Sequence, residues 1–306
     1  MNTPSTNDAP GRRKFIGDSL KISGALTLLS SPALSIAGTI FSPGKEFTIR
    51  EIMDIILKEI PGAPFQQTVD TLKSGSPDQK VTGIVTTMFP TVDVIKKTIR
   101  LNANFIIAHE PSFYNHADDI NWVTGNSVLK QKLELLQKNN IAIWRFHDYW
   151  HSHRPDGVGY GVLKKAGWLQ YYKPGEPLVV IPSATLKNIT QHLKSSLGID
   201  HVRIIGDLSQ QCSRIGLIPG AAGGQRQVSF VEKEKPDVLV VGELHEWETA
   251  EYIRDAQSFG SKTALIVLGH SVSEEPGMEY LVEWLTPKLG GLKVTNLPSN
   301  NPFTWV

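Results

Sequence analysis

Short apolar runs alternate with helix-like patterns along most of this sequence, and this alternation restricts the fold more than any other feature. The run Phe105–Ala108 is too short and too rich in isoleucine and phenylalanine for a helix, so it indicates a buried parallel strand. Before it, Thr91 is a predicted helix cap, followed by Val94, Ile95 and Ile99 at helical spacing. Repetition of this unit predicts an α/β fold with mostly parallel or mixed sheets.

The alternation is interrupted once, at residues 171–177, where tyrosine, proline and glycine break the pattern. We therefore predict two lobes, residues 38–170 and residues 171–306, with the C-terminal part of the second lobe completing a shared site. Predicted strands cover residues 81–87, 105–108, 141–146, 178–181, 201–205, 214–218, 237–241 and 263–268. Predicted helices include residues 48–60, 186–197 and 247–259, and a last helix carries Met278, Leu281, Val282 and Leu285.

Four of the predicted strands end in side chains that can bind metal ions. His109 and Glu110 follow the predicted strand at 105–108, and His147, Asp148 and His151 follow the strand at 141–146. Glu243 and His245 follow the strand at 237–241, and His270 and Glu274 follow the strand at 263–268. Ligands of open α/β sheets bind at the carboxyl edge of the strands, so we expect the four segments to converge. If the chain turns helical at His270, the four-residue spacing places Glu274 on the same face.

The available ligand chemistry is restricted to imidazole and carboxylate, because Cys212 is the only cysteine. Such ligands suit Zn²⁺, Mn²⁺, Fe²⁺, Co²⁺ or Ni²⁺, and a carboxylate can bridge two ions. Two neighbouring ions would activate water and stabilise an oxyanion, as in many metallohydrolases. The sequence therefore predicts a site for one or two divalent transition metal ions.

Each candidate also has a structural interpretation, because a histidine at a strand end is often a cap or a support for another ligand. His116, His192 and His201 are interpreted as surface or loop residues. His153 could replace His151 as a ligand or simply face solvent. The glycine-rich turn at residues 219–224 could bind an anion through backbone N–H groups, or serve only as a tight crossing from strand to helix.

Residues 1–37 have the pattern of an export signal. Arg12 and Arg13 precede an apolar pair, an uncharged stretch follows, and small residues end the segment at Ala37. The pattern resembles the twin-arginine type, with two departures inside the motif. A frayed tail or a membrane anchor is the alternative. We expect a periplasmic or otherwise exported protein without a stable membrane anchor after cleavage.

The stretch from about Phe47 to Leu297 resembles the dinuclear-metal-centre hexameric proteins, also called the NGG-one-interacting-factor-three family and often labelled type-two GTP cyclohydrolase homologues. The resemblance is strongest over residues 214–285, where a strand, a glycine-rich turn, a helix and further strands lead to Gly-His-x-x-x-Glu. It implies that His270 and Glu274 are metal ligands.

The family also has an apolar strand ending in His-His-Pro, and the corresponding residues here are His109-Glu110-Pro111. The resemblance implies that His109 is a ligand, whereas Glu110 stands where a second histidine is expected. His151 falls where the family has a bridging aspartate, so a carboxylate and an imidazole are exchanged between two positions. Asp148 could instead supply the missing carboxylate. The implied ligand set is His109, Glu110, His151, His270 and Glu274.

The resemblance implies two similar α/β lobes with mixed sheets, a metal site in the cleft between them, and assembly as a homohexamer. The predicted function is that of a metal-dependent hydrolase acting on an unknown small-molecule substrate, with His245 or Asp148 as proton-transfer residues. The alternative is a non-catalytic hexameric scaffold or metal-storage protein. The formal net charge of +1 gives no reason to expect a nucleic-acid partner.

Overall fold

Two mixed sheets organise the protein, and the computed structural model describes residues 46–306 of it. The predicted export signal over residues 1–37 lies outside the described residues. The strands are β1 (Leu72–Ser74), β2 (Ile84–Thr87), β3 (Phe105–Ala108), β4 (Ala142–Arg145), β5 (Leu178–Thr185), β6 (Arg203–Ile205), β7 (Gln211–Ile218), β8 (Val238–Val241), β9 (Ala264–Val267) and β10 (Val294–Asn296). The helices are α1 (Ile49–Leu57), α2 (Val92–Arg100), α3 (Ser127–Lys138), α4 (Asp148–Ser152), α5 (Gly157–Lys165), α6 (Leu186–Leu197), α7 (Gly224–Glu234), α8 (Glu251–Ser258) and α9 (His270–Leu285), and a π-helical turn (Glu246–Ala250) precedes α8.

Each sheet has five strands, with a parallel centre and at least one antiparallel edge. In the first sheet the order is β1-β4-β3-β2-β10, and only β1 runs antiparallel to its neighbour. In the second sheet the order is β5-β7-β8-β9-β6, and both edge strands are antiparallel. The predicted α/β fold with mixed sheets is confirmed. Among residues 46–306, no helix combines the length and apolar character needed to cross a membrane.

The central strands are mostly apolar because helices cover both faces of each sheet. All residues of β2, β3, β4, β8 and β9 are buried. Helices α1 and α9 cover one face of the first sheet, and α2 and α3 cover the other. Helix α6 covers one face of the second sheet, and α7 and α8 cover the opposite face.

The structure differs from the sequence prediction mainly at the edges of the sheets. Strand β5 continues four residues beyond the predicted end at residue 181, because an edge strand keeps pairing while polar side chains point outward. Strands β1 and β10 were not predicted, since each has only three partly buried residues and lacks an apolar run. Because β10 pairs with β2, the end of the chain adds a strand to the first sheet, although residues 171–306 were predicted as one second lobe.

Helix α9 joins the two halves of the fold. It begins directly after β9 of the second sheet, yet Met278, Leu281 and Leu285 are fully buried in the core of the first. The Thr86 hydroxyl of β2 donates a hydrogen bond to the Met278 carbonyl at 3.0 Å. The first turn of α9, which starts at His270, is therefore held beside the first sheet.

Helices α5 and α9 pack backbone against backbone through small residues. A Cβ atom at Gly161 of α5 would overlap the Pro276 carbonyl and the Gly277 backbone of α9. The Trp150 indole of α4 donates a hydrogen bond to the Gly277 carbonyl at 3.2 Å. The contact therefore sets the position of α9 relative to α4, and both helices carry candidate ligands.

We predict that Gly161→Ala destabilises the protein by about 1–3 kcal/mol or more, because the neighbouring atoms are backbone and cannot rearrange. Gly159→Ala on the same helix is the matched control, since a Cβ there meets only the Asp156 carboxylate at ordinary contact distances, the nearest at 3.7 Å. The control should be neutral or slightly stabilising, because alanine favours helix over glycine. Urea unfolding of both variants measures the difference, and equal stability would contradict the close packing of α5 on α9.

Candidate metal centre

The fold brings the predicted strand ends to one place. His109 and Glu110 follow β3, and His147 follows the neighbouring parallel strand β4, so their carboxyl ends lie side by side. His270 and Glu274 lie in the first turns of α9, which packs against the same sheet. Residues of both halves line a cleft of about 1380 Å³, which is larger than a metal site requires and leaves room for a small molecule.

His109 is the most constrained of these side chains. It is fully buried, and its Nδ1 lies 3.2 Å from the Phe146 carbonyl oxygen. A carbonyl can only accept, so Nδ1 donates its proton and Nε2 retains the lone pair. The pKa of His109 is held well below its usual value, mainly by burial and secondly by the positive charge of His151. The ring is therefore neutral. Its buried Nε2 has no hydrogen-bond partner and lies 3.8 Å from Oε2 of Glu274.

Two groups of potential ligands meet at His109. In the first, one nitrogen each of His109, His147 and His151 lie within 4.8 Å of one another. In the second, one atom each of His109, Glu110 and Glu274 lie within the same distance. An imidazole shared by a histidine-rich and a carboxylate-rich group suits borderline transition metal ions.

Carboxylates orient the two further histidines. His147 Nδ1 lies 2.9 Å from Oδ1 of Asp148, whose other oxygen accepts hydrogen bonds from the Thr68 hydroxyl and the Val69 N–H. Burial opposes ionisation of Asp148, yet these hydrogen bonds keep its pKa below the usual value. A carboxylate behind an imidazole fixes the ring and leaves Nε2 free for a metal, as in many metal sites.

His151 is held in the same way by a residue that was not predicted. Its Nδ1 lies 3.0 Å from Oδ2 of Asp156, which also caps α5 through the Gly159 N–H at 2.9 Å. Burial opposes protonation of His151, but the hydrogen bond with Asp156 outweighs it and raises the pKa of the imidazole. The helix cap and the orientation of the candidate ligand therefore depend on one carboxylate.

Glu110 belongs to a buried network of charges. Arg145 of β4 is fully buried and its Nη2 lies 3.4 Å from Oε2 of Glu110, while its Nε donates to the His109 carbonyl at 2.5 Å. The other oxygen of Glu110 lies 3.3 Å from Nε2 of His270. Burial would raise the pKa of Glu110, but the hydrogen bond from His270 and the charge of Arg145 lower it. Glu110 is thus held as a carboxylate with one oxygen toward the site.

His270 lies among three carboxylates. Its Nε2 is 3.1 Å from Glu274 and its Nδ1 is 3.4 Å from Glu243, in addition to the contact with Glu110. Burial opposes protonation, but these hydrogen bonds raise the pKa of His270 to about 12. His270 and Glu274 share one face of α9, as predicted from their spacing. Burial raises the pKa of Glu274, because the carboxylate is almost fully removed from water.

These observations fit a metal centre. The buried lone pair of His109 Nε2 lacks a partner, and three carboxylates surround a single imidazolium at His270. A bound cation would satisfy the lone pair and replace the proton of His270 as the compensating charge. The structure therefore offers histidine and glutamate groups that could hold a metal ion.

The remaining histidines named from the sequence lie outside the two groups of potential ligands. The side chain of His245 is 64% exposed, stacks on Trp247 and is not among the residues that line the cleft. His153 is buried against the rings of Trp150 and Trp284, so it follows neither of the two predicted alternatives. His116 lies exposed at the cleft, as a loop residue should. His192 and His201 stack on tryptophan side chains away from the cluster.

Two contributors were not predicted, namely Asp156 as the support of His151 and Arg145 as the partner of Glu110. His147 was named among the candidates after its strand but not in the implied ligand set, and the structure places it in a group with His109 and His151. Its position indicated this role, since His147 follows β4 as closely as Glu110 follows β3. Arg145 gave a weaker signal, a charge at the end of a buried apolar run. Asp156 gave none, because its contact depends on how α4 turns into α5.

The glycine-rich turn has a steric role that neither predicted alternative included. Gly220 has a φ of 68°, and a Cβ atom there would overlap the Glu274 carboxylate. Its N–H donates a hydrogen bond to the Ser273 hydroxyl at 2.9 Å, which ties the turn to α9. The turn therefore leaves space for a candidate ligand.

Comparison with known proteins shows the family of this chain. A model of the Duf34/NIF3 (NGG1p interacting factor 3) family matches residues 47–302, and the chain belongs to this family. A Clostridium perfringens protein named GTP cyclohydrolase 1 type 2 homolog is 24% identical over an alignment of 240 residues, and the match covers 74% of this chain and 87% of that protein. The expected family is therefore confirmed.

Solved structures of low sequence identity share the fold. The crystal structure of Staphylococcus aureus protein SA1388 has a TM-score of 0.68 at 20% identity and covers 85% of this chain and 99% of its own. A Bacillus cereus protein related to NIF3 has a TM-score of 0.67 at 15% identity, covering 86% and 100%. At this level of identity the comparison shows the fold alone.

We predict that Gly220→Ala lowers the affinity for a divalent metal by about tenfold or more, because the added methyl displaces the Glu274 carboxylate. Gly223→Ala is the matched control: it has a φ of 83° and thus similar backbone strain, but a Cβ there meets no atom within 4 Å. Competition with a chromogenic chelator measures both affinities. Equal affinities in the two variants would show that Glu274 is not a ligand.

Proposed function

We propose that this protein is a metal-dependent hydrolase that acts on a small molecule through water activated by one or two divalent metal ions. The observation that supports it most is the buried, neutral His109, whose unpartnered Nε2 faces Glu274 beside a cleft open to small molecules. A buried polar atom without a hydrogen-bond partner destabilises the folded state, and a bound metal ion would remove this penalty.

The proposed ligands are His109, Glu110, His151, His270 and Glu274, joined by His147. Mixed imidazole and carboxylate donors suit Zn, Mn, Fe, Co or Ni ions. When bound, such an ion lowers the pKa of water and stabilises negative charge that develops on a substrate oxygen.

The surrounding residues would prepare this site for chemistry. Asp148 and Asp156 orient two imidazoles, and Arg145 keeps Glu110 ionised and aimed at the cluster. Asp148 was predicted as a proton-transfer residue, and its three hydrogen-bonded partners favour an orienting role instead. Because each of the three supports makes a further hydrogen bond to the surrounding protein, the ligands need little rearrangement on binding.

A non-catalytic scaffold or metal-storage role is the second candidate. One observation favours it: neither predicted proton-transfer residue is free in the cleft, since Asp148 is fully engaged and His245 lies outside the lining. A storage site would be closed by protein ligands, whereas a hydrolase keeps a coordination position for water.

Assembly and location are part of the same proposal. The resemblance to the dinuclear-metal-centre hexameric proteins supports a homohexamer, and the pattern over residues 1–37 supports export to the periplasm. An exported protein would meet little GTP, which makes a different small-molecule substrate more reasonable than the one in its relatives' name.

The test compares metal content and hydrolysis in the wild type and in His270→Ala, with His201→Ala as the control outside the cluster. Elemental analysis should find bound transition metal in the wild type and control, reduced at least about tenfold in His270→Ala. A screen of phosphoester, amide and cyclic amidine substrates should show turnover that follows metal content. Trace metal in all three proteins would reject the metal centre, and stoichiometric metal without turnover of any substrate would favour the storage role.

A further inference from the structure

A buried lysine lines the same cleft as the candidate metal ligands. Lys132 of α3 is only 4% exposed, and its Nζ donates to the Ser112 carbonyl at 2.6 Å. Within residues 46–306, no carboxylate lies within ion-pairing distance of this ammonium. The rings of Phe113 and Tyr114 lie 5.8 and 5.5 Å from Nζ and offer only weak compensation.

The carboxylate that acts on Lys132, that of Asp118, already pairs with two other cations. Asp118 acts on Lys132 from a distance, but its Oδ2 lies 3.4 Å from both Lys73 and Arg145. Arg145 also faces Glu110, whose remaining oxygen points to His270. The local balance therefore leaves the charge of Lys132 without a counter-ion, which is unfavourable for a buried ammonium.

A second polar group beside Lys132 also lacks a partner. The Ser112 hydroxyl is buried and makes no hydrogen bond, although Ser112 lines the cleft. Ser112 follows Glu110 by two residues, so this hydroxyl belongs to the loop that carries a candidate metal ligand. A free donor and an uncompensated cation at one wall of a cleft are complementary to a ligand oxyanion.

We propose that Lys132 and Ser112 form a subsite for an oxyanion, a carboxylate or phosphate, on the small molecule that the cleft receives. The inference rests on the proposed function, because the anion would hold the substrate while the reacting group lies at the histidine and glutamate cluster. The substrate class is accordingly a small molecule with an anionic group separate from the bond that is hydrolysed.

Burial lowers the pKa of Lys132 to about 8, so most of the side chain remains protonated at pH 7. An anion bound at Nζ would supply the missing favourable interaction. This is consistent with a subsite that becomes electrostatically complete only when ligand is present.

The experiment measures binding of inorganic phosphate and of acetate to metal-loaded, full-length protein at pH 7 by isothermal titration calorimetry. In Lys132→Met, which replaces the apolar stem of the side chain and removes the ammonium, the dissociation constant of the preferred anion should rise about tenfold to a hundredfold. Lys130→Met is the charge-matched control on α3: its side chain is 76% exposed, and it should bind as the wild type does. Tighter binding of phosphate would indicate a phosphorylated substrate, and tighter binding of acetate would indicate a carboxylate substrate.

Ser112→Ala gives an independent test should Lys132→Met unfold, and its binding should weaken by up to about tenfold. Wild-type binding constants in both Lys132→Met and Ser112→Ala, or no binding of either anion to the wild type, would overturn the subsite. If phosphate binds only through the metal, binding should be lost in His270→Ala and unchanged in Lys132→Met. That result would also overturn the subsite. Metal content and turnover in the same proteins report separately on the proposed hydrolase.

Discussion

The hydrogen bond between His109 Nδ1 and the Phe146 carbonyl is the interaction on which the candidate centre depends. Its acceptor is set by the sheet itself, because the Phe146 N–H donates to the Ala108 carbonyl at 2.8 Å and continues the pairing of β3 with β4. The parallel ladder thus places an acceptor where it fixes the tautomer of the neighbouring imidazole. With Nδ1 occupied, Nε2 can only face the cluster, and the other ligands are arranged around this nitrogen.

Charge compensation explains how a glutamate can stand beside His109 in a buried position. A buried carboxylate without a partner is strongly unfavourable, and Arg145 on the adjacent strand supplies the opposite charge for Glu110. Arg145 in turn shares Asp118 with Lys73, so the charges continue as a chain away from the cluster. Because Arg145 and Lys73 take up Asp118, Lys132 is left without a counter-ion. The charge that supports Glu110 and the unpaired ammonium of the proposed anion subsite therefore have the same origin.

Sequence alone predicted the parts of this fold that depend on local pattern. The apolar runs gave the central strands, and the spacing of His270 and Glu274 gave a shared helix face. The parts that were missed depend on tertiary pairing: β10 is a strand only because β2 accepts it at the edge of the first sheet. Arg145 and Asp156 likewise acquire their roles from contacts that no periodicity encodes, and the uncompensated charge of Lys132 is visible only when its neighbours are placed.

The central claim is that Nε2 of His109 binds a metal ion together with Glu274. Diffraction from metal-loaded crystals, recorded on either side of the absorption edge of the bound ion, tests it most directly. We expect an anomalous peak adjacent to His109 Nε2 and the Glu274 carboxylate. A peak located elsewhere, or metal-loaded crystals in which His109 Nε2 contacts only water or protein, would contradict it.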